Sequence, residues 1–225
     1  MNKVLPILFN TEMVCAILDG RKTVTRRVCK DGNDYTVPDM NFYNADKRTY
    51  AVHNYADREH TEKLSIAERT CPVCPGDILY VRETWTVFRT YPHTFGFVVM
   101  HIADKYIHPC IFKDMNRYLD KFQKYENKEV WNTPYSMPKE AARIFLKVTD
   151  IRIERLQDIT EQQAVKEGFV DDIEHCVGDT AVGHFIKCWE TTIKKQDMER
   201  YGWKANPWVW TIEFERCEKP ESIDK

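Results

Sequence analysis

Five cations lie within ten residues near the start of the chain, and two threonines are interleaved with them. Residues 20–30 read GRKTVTRRVCK. Guanidinium and ammonium groups bind phosphate, and threonine hydroxyls bond phosphate oxygens or act as nucleophiles when a base activates them. The segment is therefore a candidate polyanion-binding patch, and the charges alone leave a solvated strand face as an open alternative. Its polar members are Arg21, Lys22, Thr23, Thr25, Arg26, Arg27 and Lys30.

The overall composition confines any polyanion site to a local cluster of this kind. The 225 residues include 33 Lys and Arg against 35 Asp and Glu, a formal charge of -2. A globally basic, nucleic-acid-coating protein is therefore excluded. Hydrophobic residues make up 43% of the chain and charged residues 30%, which is typical of a globular protein with a core.

The chain lacks the sequence features of a membrane or secreted protein. No apolar run approaches the roughly 20 residues that a membrane helix requires, and the apolar opening segment ends at Asn10, too early for a signal peptide. We therefore expect no membrane partner and a cytoplasmic location. In that compartment the eight cysteines are expected to be reduced thiols.

One cysteine pair has the spacing of half a zinc site. Cys71 and Cys74 are separated by two residues, but a closed structural site needs four ligands. The remaining candidates are His108, Cys110, His175 and Cys176. We favour a turn with two free thiols over a zinc site, and we expect no metal and no cofactor.

Local patterns predict the elements that position these residues. Asn10 or Thr11 can cap a helix that Gly20 ends, and β-branched residues predict a strand over 21–28. Thr160 and Gln163 form a capping-box pattern for a helix ending at Gly168. Further strands are predicted at 78–85, 95–103, 144–153 and 208–214, a hairpin joining 35–37 to 49–53, and helices at 113–125, 138–143 and 182–193.

The order of these elements predicts the fold class. Strands outnumber helices and do not alternate with them, which favours an α+β fold with a mostly antiparallel or mixed sheet, such as a barrel. Two polar stretches, residues 30–70 and 104–135, have little helical periodicity and are interpreted as insertions.

The segment 20–27 resembles the Gly-x-Lys-Thr-x-Thr-x-Arg signature that opens the ASCH domain, a relative of the PUA RNA-binding barrel. Further stretches resemble the larger ASCH proteins of phages and prophages in the same order. They are 75–77 with 81–85, 137–138 with 141–143, 156–168, and 206–210 with 214. The resemblance implies a PUA-like small β-barrel with flanking helices. It would form one domain over 1–217, with insertions at about 30–70 and 104–135 and a tail at 218–225.

The same resemblance implies an activity. The family includes small bacterial enzymes that remove the acetyl group from N(4)-acetylcytidine, and their lysine, threonine and glutamate correspond to Lys22, Thr25 and Glu167. The chain is thus expected to be an amidohydrolase that needs no metal and acts on an acylated cytidine-like nucleoside or RNA. The residues expected to bind the nucleoside or RNA are Arg21, Thr23, Arg26, Arg27, Arg82, Glu83 and Trp85.

The proposed set is chemically adequate, with one geometric condition. A threonine hydroxyl needs a base, a lysine serves as one if burial lowers its pKa, and a glutamate positions water or protonates the leaving amine. Side chains alternate along a strand, so Lys22 and Thr25 converge only if the strand begins irregularly just after Gly20. Lys22 as a simple phosphate ligand stays an open alternative.

A second class of function also fits the sequence. The chain is then a non-catalytic RNA-binding module, or a transcription- or translation-associated protein of phage origin that contacts a host protein through its insertions. The lysine, threonine and glutamate favour the enzyme, whereas the extra basic residues and the two insertions favour a polymeric ligand.

Overall fold

The computed structural model describes residues 2–32, 36–91, 96–111, 130–170 and 180–221. Over these ranges eleven strands outnumber four α-helices, and the strands form three sheets. The α+β class predicted from the sequence is confirmed. The described strands do not close into a barrel. None of the described helices is long and apolar enough to cross a membrane.

The elements follow one another along the chain in an order dominated by strands. The strands are β1 (Val4–Leu8), β2 (Val24–Val28), β3 (Thr36–Asn44), β4 (Thr49–Tyr55), β5 (Lys63–Thr70), β6 (Ile78–Arg82), β7 (Trp85–Tyr91), β8 (Gly96–His101), β9 (Ile107–Cys110), β10 (Phe145–Arg155) and β11 (Trp208–Cys217). The helices are α1 (Thr11–Leu18), α2 (Glu161–Lys166), α3 (Ala181–Thr192) and α4 (Met198–Tyr201). Hydrogen-bonded strands follow the orders β1-β6-β10-β11-β2, β3-β4-β5 and β7-β8-β9.

The chain divides into two compact units, each assembled from separate stretches of sequence. The first comprises Met1–Asp19, Asp77–Lys147 and Glu215–Lys225, and the second comprises Gly20–Gly76 and Val148–Phe214. The three candidate catalytic residues all belong to the second unit, whereas Arg82, Glu83 and Trp85 belong to the first. A single domain over 1–217 with a tail stays a prediction.

The first unit contains a parallel strand pair and an antiparallel meander. Strand β1 runs parallel to β6, β6 pairs antiparallel with the start of β10, and β7, β8 and β9 are antiparallel. The predicted strand 78–85 is in fact two strands, because Trp85 pairs with His101 in the other sheet and Glu83 falls in the break. The core of this unit includes Trp85, Phe97, Val99, Met137 and Phe145.

The second unit combines strands β2 and β11 with helices α2 and α3 and a separate meander. Strands β2 and β11 are antiparallel, and the helices pack around Leu156, Phe185 and Trp189. The predicted hairpin is confirmed where Val37 lies opposite His53. The third strand, β5, was not predicted, because nearly all its side chains are exposed and it therefore lacks a buried alternation.

The signals that the sequence gives for the ends of helices and strands are confirmed at some positions and wrong at others. The Asn10 side chain accepts a hydrogen bond from the first turn of α1, and Gly20 has a φ of 77°. The predicted helix at 138–143 is instead a 3-10 turn, Lys139–Ala141, and the first predicted strand begins only at Val24. The predicted helix at 113–125, residue 35 of the hairpin and residue 95 of a strand lie outside the described residues.

Candidate functional site

The end of helix α2 and the segment before strand β2 are held together in the second unit. A capping box formed by Thr160 and Gln163 begins α2, and Gly168, with a φ of 100°, ends it just after Glu167. The Thr23 backbone N–H donates to the Lys166 carbonyl at 2.8 Å. These contacts bring the residues before β2 against Glu167.

Lys22 and Glu167 form a buried ion pair at this junction. Lys22 Nζ donates to Glu167 Oε2 at 2.7 Å, to the Glu167 carbonyl at 2.8 Å and to the Val24 carbonyl at 2.9 Å. Both side chains are at most 4% exposed. Because three acceptors surround one nitrogen, the arrangement fits the ammonium form. Burial lowers the pKa of Lys22, although the charge of Glu167 opposes that shift.

Arg26 extends this pair into a network that crosses three strands. Arg26 Nη1 donates to Glu167 Oε1 at 3.3 Å, and Nη2 donates to Glu154 Oε2 at 3.2 Å and to Gln163 Oε1 at 3.1 Å. Thr211 lies opposite Arg26 in the sheet, and its hydroxyl donates to Glu154 Oε2 at 2.9 Å. Arg26 is 2% exposed, so it faces this network and does not form part of the surface patch.

Thr25 lies on β2 beside this network but does not take part in its hydrogen bonds. It is buried, and its backbone lies opposite Ile212 of β11. Its hydroxyl bonds neither Lys22 nor Glu167 within the described part of the chain. The strand begins after Lys22, so the alternation rule does not keep these two side chains apart. The structure thus brings Lys22 and Glu167 together, and their contact with Thr25 stays a prediction.

The remaining residues of the signature segment reach the surface of the second unit. Arg21, Thr23 and Arg27 are exposed, and Arg21 Nη1 donates to the Gly168 carbonyl at 2.7 Å. Arg27 lies within electrostatic range of Glu167, so a surface cation borders the buried pair. The exposed basic patch therefore consists of Arg21 and Arg27, with Lys30 exposed nearby in the sequence.

The predicted ligand-binding residues of the first unit have structural partners. Trp85 is 0% exposed and packs in the core, so it presents no ring face for stacking a base. Arg143 donates to both oxygens of Glu83, at 2.8 and 3.0 Å. His101 Nδ1 lies 3.1 Å from Glu83 Oε1, at ion-pair distance but without the alignment of a hydrogen bond. Arg82 donates to the Tyr135 carbonyl at 3.2 Å.

Replacing Arg143 with methionine is expected to lower the free energy of unfolding by about 3–5 kcal/mol, the cost of leaving one member of a buried pair uncompensated. Burial raises the pKa of Glu83, but the nearby His101 ring and the hydrogen bonds and charge of Arg143 outweigh it, so the pKa lies below its usual value. The stabilisation is thus present above the unfolded pKa of about 4.3 and is lost as pH falls through the folded pKa.

Urea unfolding at pH 7 and at lower pH measures this effect. Arg200→Met, at an exposed arginine, is the matched control and should change little. A loss below about 1 kcal/mol in Arg143→Met, the range of exposed ion pairs, would show that the Glu83 carboxyl is solvated.

The described residues contain no group of three or more His, Cys, Asp or Glu side chains that could hold a metal ion. Cys71 and Cys74 are buried thiols, and Cys71 Sγ lies 2.8 Å from the Val73 carbonyl. Burial, with the neighbouring Cys74, raises the pKa of Cys71 to about 12. His175 and Cys176 lie outside the described residues.

The sequence does not indicate that Arg26 faces inward or that Glu154, which also accepts from Thr211, is its partner. Arg26 and Glu154 are 128 residues apart, so no local pattern links them. Gln163 is indicated by the sequence, but only as a helix cap.

The chain was compared with known proteins. No protein-family model, no curated protein and no solved structure matches this chain.

Proposed function

We propose that this chain is an ASCH-domain protein of the PUA-like superfamily that binds a nucleoside or RNA and hydrolyses an acylated cytidine-like amide without a metal. The observation that carries the proposal is the buried Lys22–Glu167 pair, 2.7 Å apart, in which burial lowers the pKa of the lysine. Buried ion pairs seldom stabilise a fold, and strongly shifted titratable groups concentrate at functional sites. These two residues are also two of the three that the family resemblance assigns to catalysis, the third being Thr25.

The reaction would begin with the neutral form of Lys22. Its amine takes the proton of the Thr25 hydroxyl, and the oxygen attacks the carbonyl carbon of the amide. The carbon–nitrogen bond then breaks, and Lys22 gives the proton to the leaving amine, which releases cytidine. Water then attacks the threonine ester, and the Lys22 amine takes a proton from that water. Lys22 passes the proton to the Thr25 oxygen as the ester bond breaks and acetate leaves.

Glu167 and the exposed cations have separate roles in this scheme. The Glu167 carboxylate holds the Lys22 amine in place and positions the attacking water. Arg27 borders the pair and offers positive charge to the oxyanion that forms on the amide carbonyl. Thr25 must approach Lys22 when substrate binds, and catalytic hydrogen bonds commonly shorten only in the complex.

Incubation of the purified chain with N(4)-acetylcytidine, followed by chromatography, tests the proposal. Cytidine and acetate should accumulate in equal amounts, and the rate should be unchanged by a metal chelator. Failure to release cytidine, while free N(4)-acetylcytidine binds, would reject the enzyme and leave a nucleoside-binding module.

A non-catalytic RNA-binding function is the second candidate, and two observations favour it. Lys22 has three acceptors that fit its charged form, and the Thr25 hydroxyl does not contact it. Arg21 and Arg27 remain exposed for phosphate contacts. In this case Lys22 and Glu167 fix the segment before β2, which carries Arg21, and β2 itself presents Arg27.

Removing both exposed arginines is expected to weaken RNA binding and its salt dependence. Each lost phosphate contact lowers the slope of log K against log salt by about 0.7 for a single strand, so the Arg21→Gln/Arg27→Gln variant should lose about 1.4. Fluorescence anisotropy with a single-stranded RNA measures the slope. Arg200→Gln, at an exposed arginine in α4, is the control. An unchanged slope in the double variant would identify the patch as solvated surface only.

A further inference from the structure

We propose that Arg26 is a positioning residue that, held in turn by Glu154, fixes the Glu167 carboxylate against Lys22. This inference rests on the proposed function, because it concerns how that site keeps its geometry. Each Glu167 oxygen has its own cation: Oε2 accepts from Lys22 at 2.7 Å and Oε1 accepts from Arg26 at 3.3 Å. The carboxylate is therefore held at both ends and cannot rotate without losing one of these contacts.

Arg26 is itself fixed by a row of side chains across the sheet. Thr211 on β11 lies beside Arg26 on β2, and Glu154 is on β10, the next strand beyond β11. Arg26 and Thr211 are directly opposite one another, and both donate to the same oxygen, Glu154 Oε2. The other oxygen of Glu154 accepts from Arg152 Nε at 2.9 Å. Both carboxylate oxygens of Glu154 are thus engaged.

The helix that carries Glu167 is joined to the same guanidinium. Arg26 Nη2 donates to Gln163 Oε1 at 3.1 Å, and Gln163 belongs to the capping box that begins α2. Arg26 thus contacts both ends of this short helix, and the planar fork of a guanidinium suits such divided bonding. A lysine at this position would keep the charge but would not span Glu167, Glu154 and Gln163 together.

The two cations that contact Glu167 are matched by two carboxylates. Lys22 and Arg26 are two cations around the single carboxylate of Glu167, and Glu154 supplies the second negative charge. Without Glu154, one buried cation would lack a counter-ion, which is costly away from water. Glu154 therefore keeps Arg26 in place and leaves Glu167 to Lys22.

Variants at these positions, tested for hydrolysis of N(4)-acetylcytidine, separate positioning from simple charge. Misplacing a catalytic group by about 1 Å costs about 100-fold in rate. We therefore expect Arg26→Lys and Arg26→Gln to lower kcat by about that factor with KM unchanged. Glu154→Gln keeps an acceptor and should lose less. Glu190→Gln, at an exposed glutamate of α3, is the matched control. An Arg26→Lys variant as active as wild type would overturn the inference.

A second readout is independent of turnover. The Lys22 ammonium, buried with three acceptors, should give a 15N-edited NMR signal that exchanges slowly with water, and Lys22→Met identifies it. We expect the signal to persist in Glu190→Gln and to broaden in Arg26→Lys and Glu154→Gln. A sharp, unshifted signal in both variants would reject positioning even if hydrolysis changes. If wild type does not hydrolyse the substrate, the proposed function fails while this signal still decides the role of Arg26.

Discussion

Thr25→Ala is expected to lower the rate of N(4)-acetylcytidine hydrolysis by at least about a thousandfold, the scale seen when a nucleophile is removed from a set that acts as a unit. Alanine removes the hydroxyl that would attack the amide, whereas the buried Lys22–Glu167 pair stays intact because Thr25 does not bond to it. Binding of the substrate should therefore survive. Steady-state kinetics and equilibrium binding on the same preparation measure the two effects separately.

Thr25→Ser is the matched control for this substitution. Serine keeps a hydroxyl on the same atom and should retain measurable turnover. Equal rates for wild type and Thr25→Ala would mean that water attacks the amide directly and that Thr25 is a buried strand residue only.

Breaking the Lys22–Glu167 pair is expected to have the largest effect on stability in the second unit. Lys22→Met leaves the Glu167 carboxylate, at most 4% exposed, without its nearest cation, which should cost about 3–5 kcal/mol of the free energy of unfolding. Glu167→Met should cost a similar amount. The double variant buries no unpaired charge at this position, so its loss should be smaller than the sum of the two. Urea unfolding of the four proteins measures the interaction.

The pH dependence of stability gives the same cycle a second readout. Burial lowers the pKa of Lys22 below its ordinary 10.5, so the unfolded chain binds a proton that the folded chain releases. The free energy of unfolding should rise with pH through the window between the folded and unfolded pKa values. Lys22→Met should lack that rise. The account is contradicted if the stability losses of the two single variants add up to that of the double variant and Lys22→Met keeps the wild-type pH dependence. Both side chains would then be in solvent.

Local chemistry was readable from the sequence, and long-range packing was not. The cap at Asn10 and the capping box at Thr160 depend on residues three positions apart, and both are confirmed. Strand β5 carries no buried alternation, so no pattern marked it. Trp85 was expected at a binding surface, but the strand breaks before it and its ring lies in the core. Exposure of an aromatic residue depends on distant packing that spacing does not encode.

For the candidate site, too, the sequence indicates the residue types but not the contacts between distant residues. Lys22 and Glu167 are 145 residues apart, and in the sequence only the family resemblance connects them. The sequence groups Arg26 with the neighbouring surface cations, because the residue type alone does not show which way its side chain points. In the structure it points inward to Glu154, a residue with no signal of its own. The buried partners of a charge are set by tertiary pairing of β2, β11 and β10.

The most direct test of the central claim compares wild type with Lys22→Arg on N(4)-acetylcytidine, measuring both cytidine release and substrate binding. Arginine keeps the positive charge but stays protonated at any accessible pH, so it cannot act as a neutral base. We predict that wild type releases cytidine and acetate. Lys22→Arg should still bind N(4)-acetylcytidine, but its rate of cytidine release should be at least about a hundredfold lower. Equal turnover by the two proteins, or none by wild type, would contradict base catalysis by Lys22.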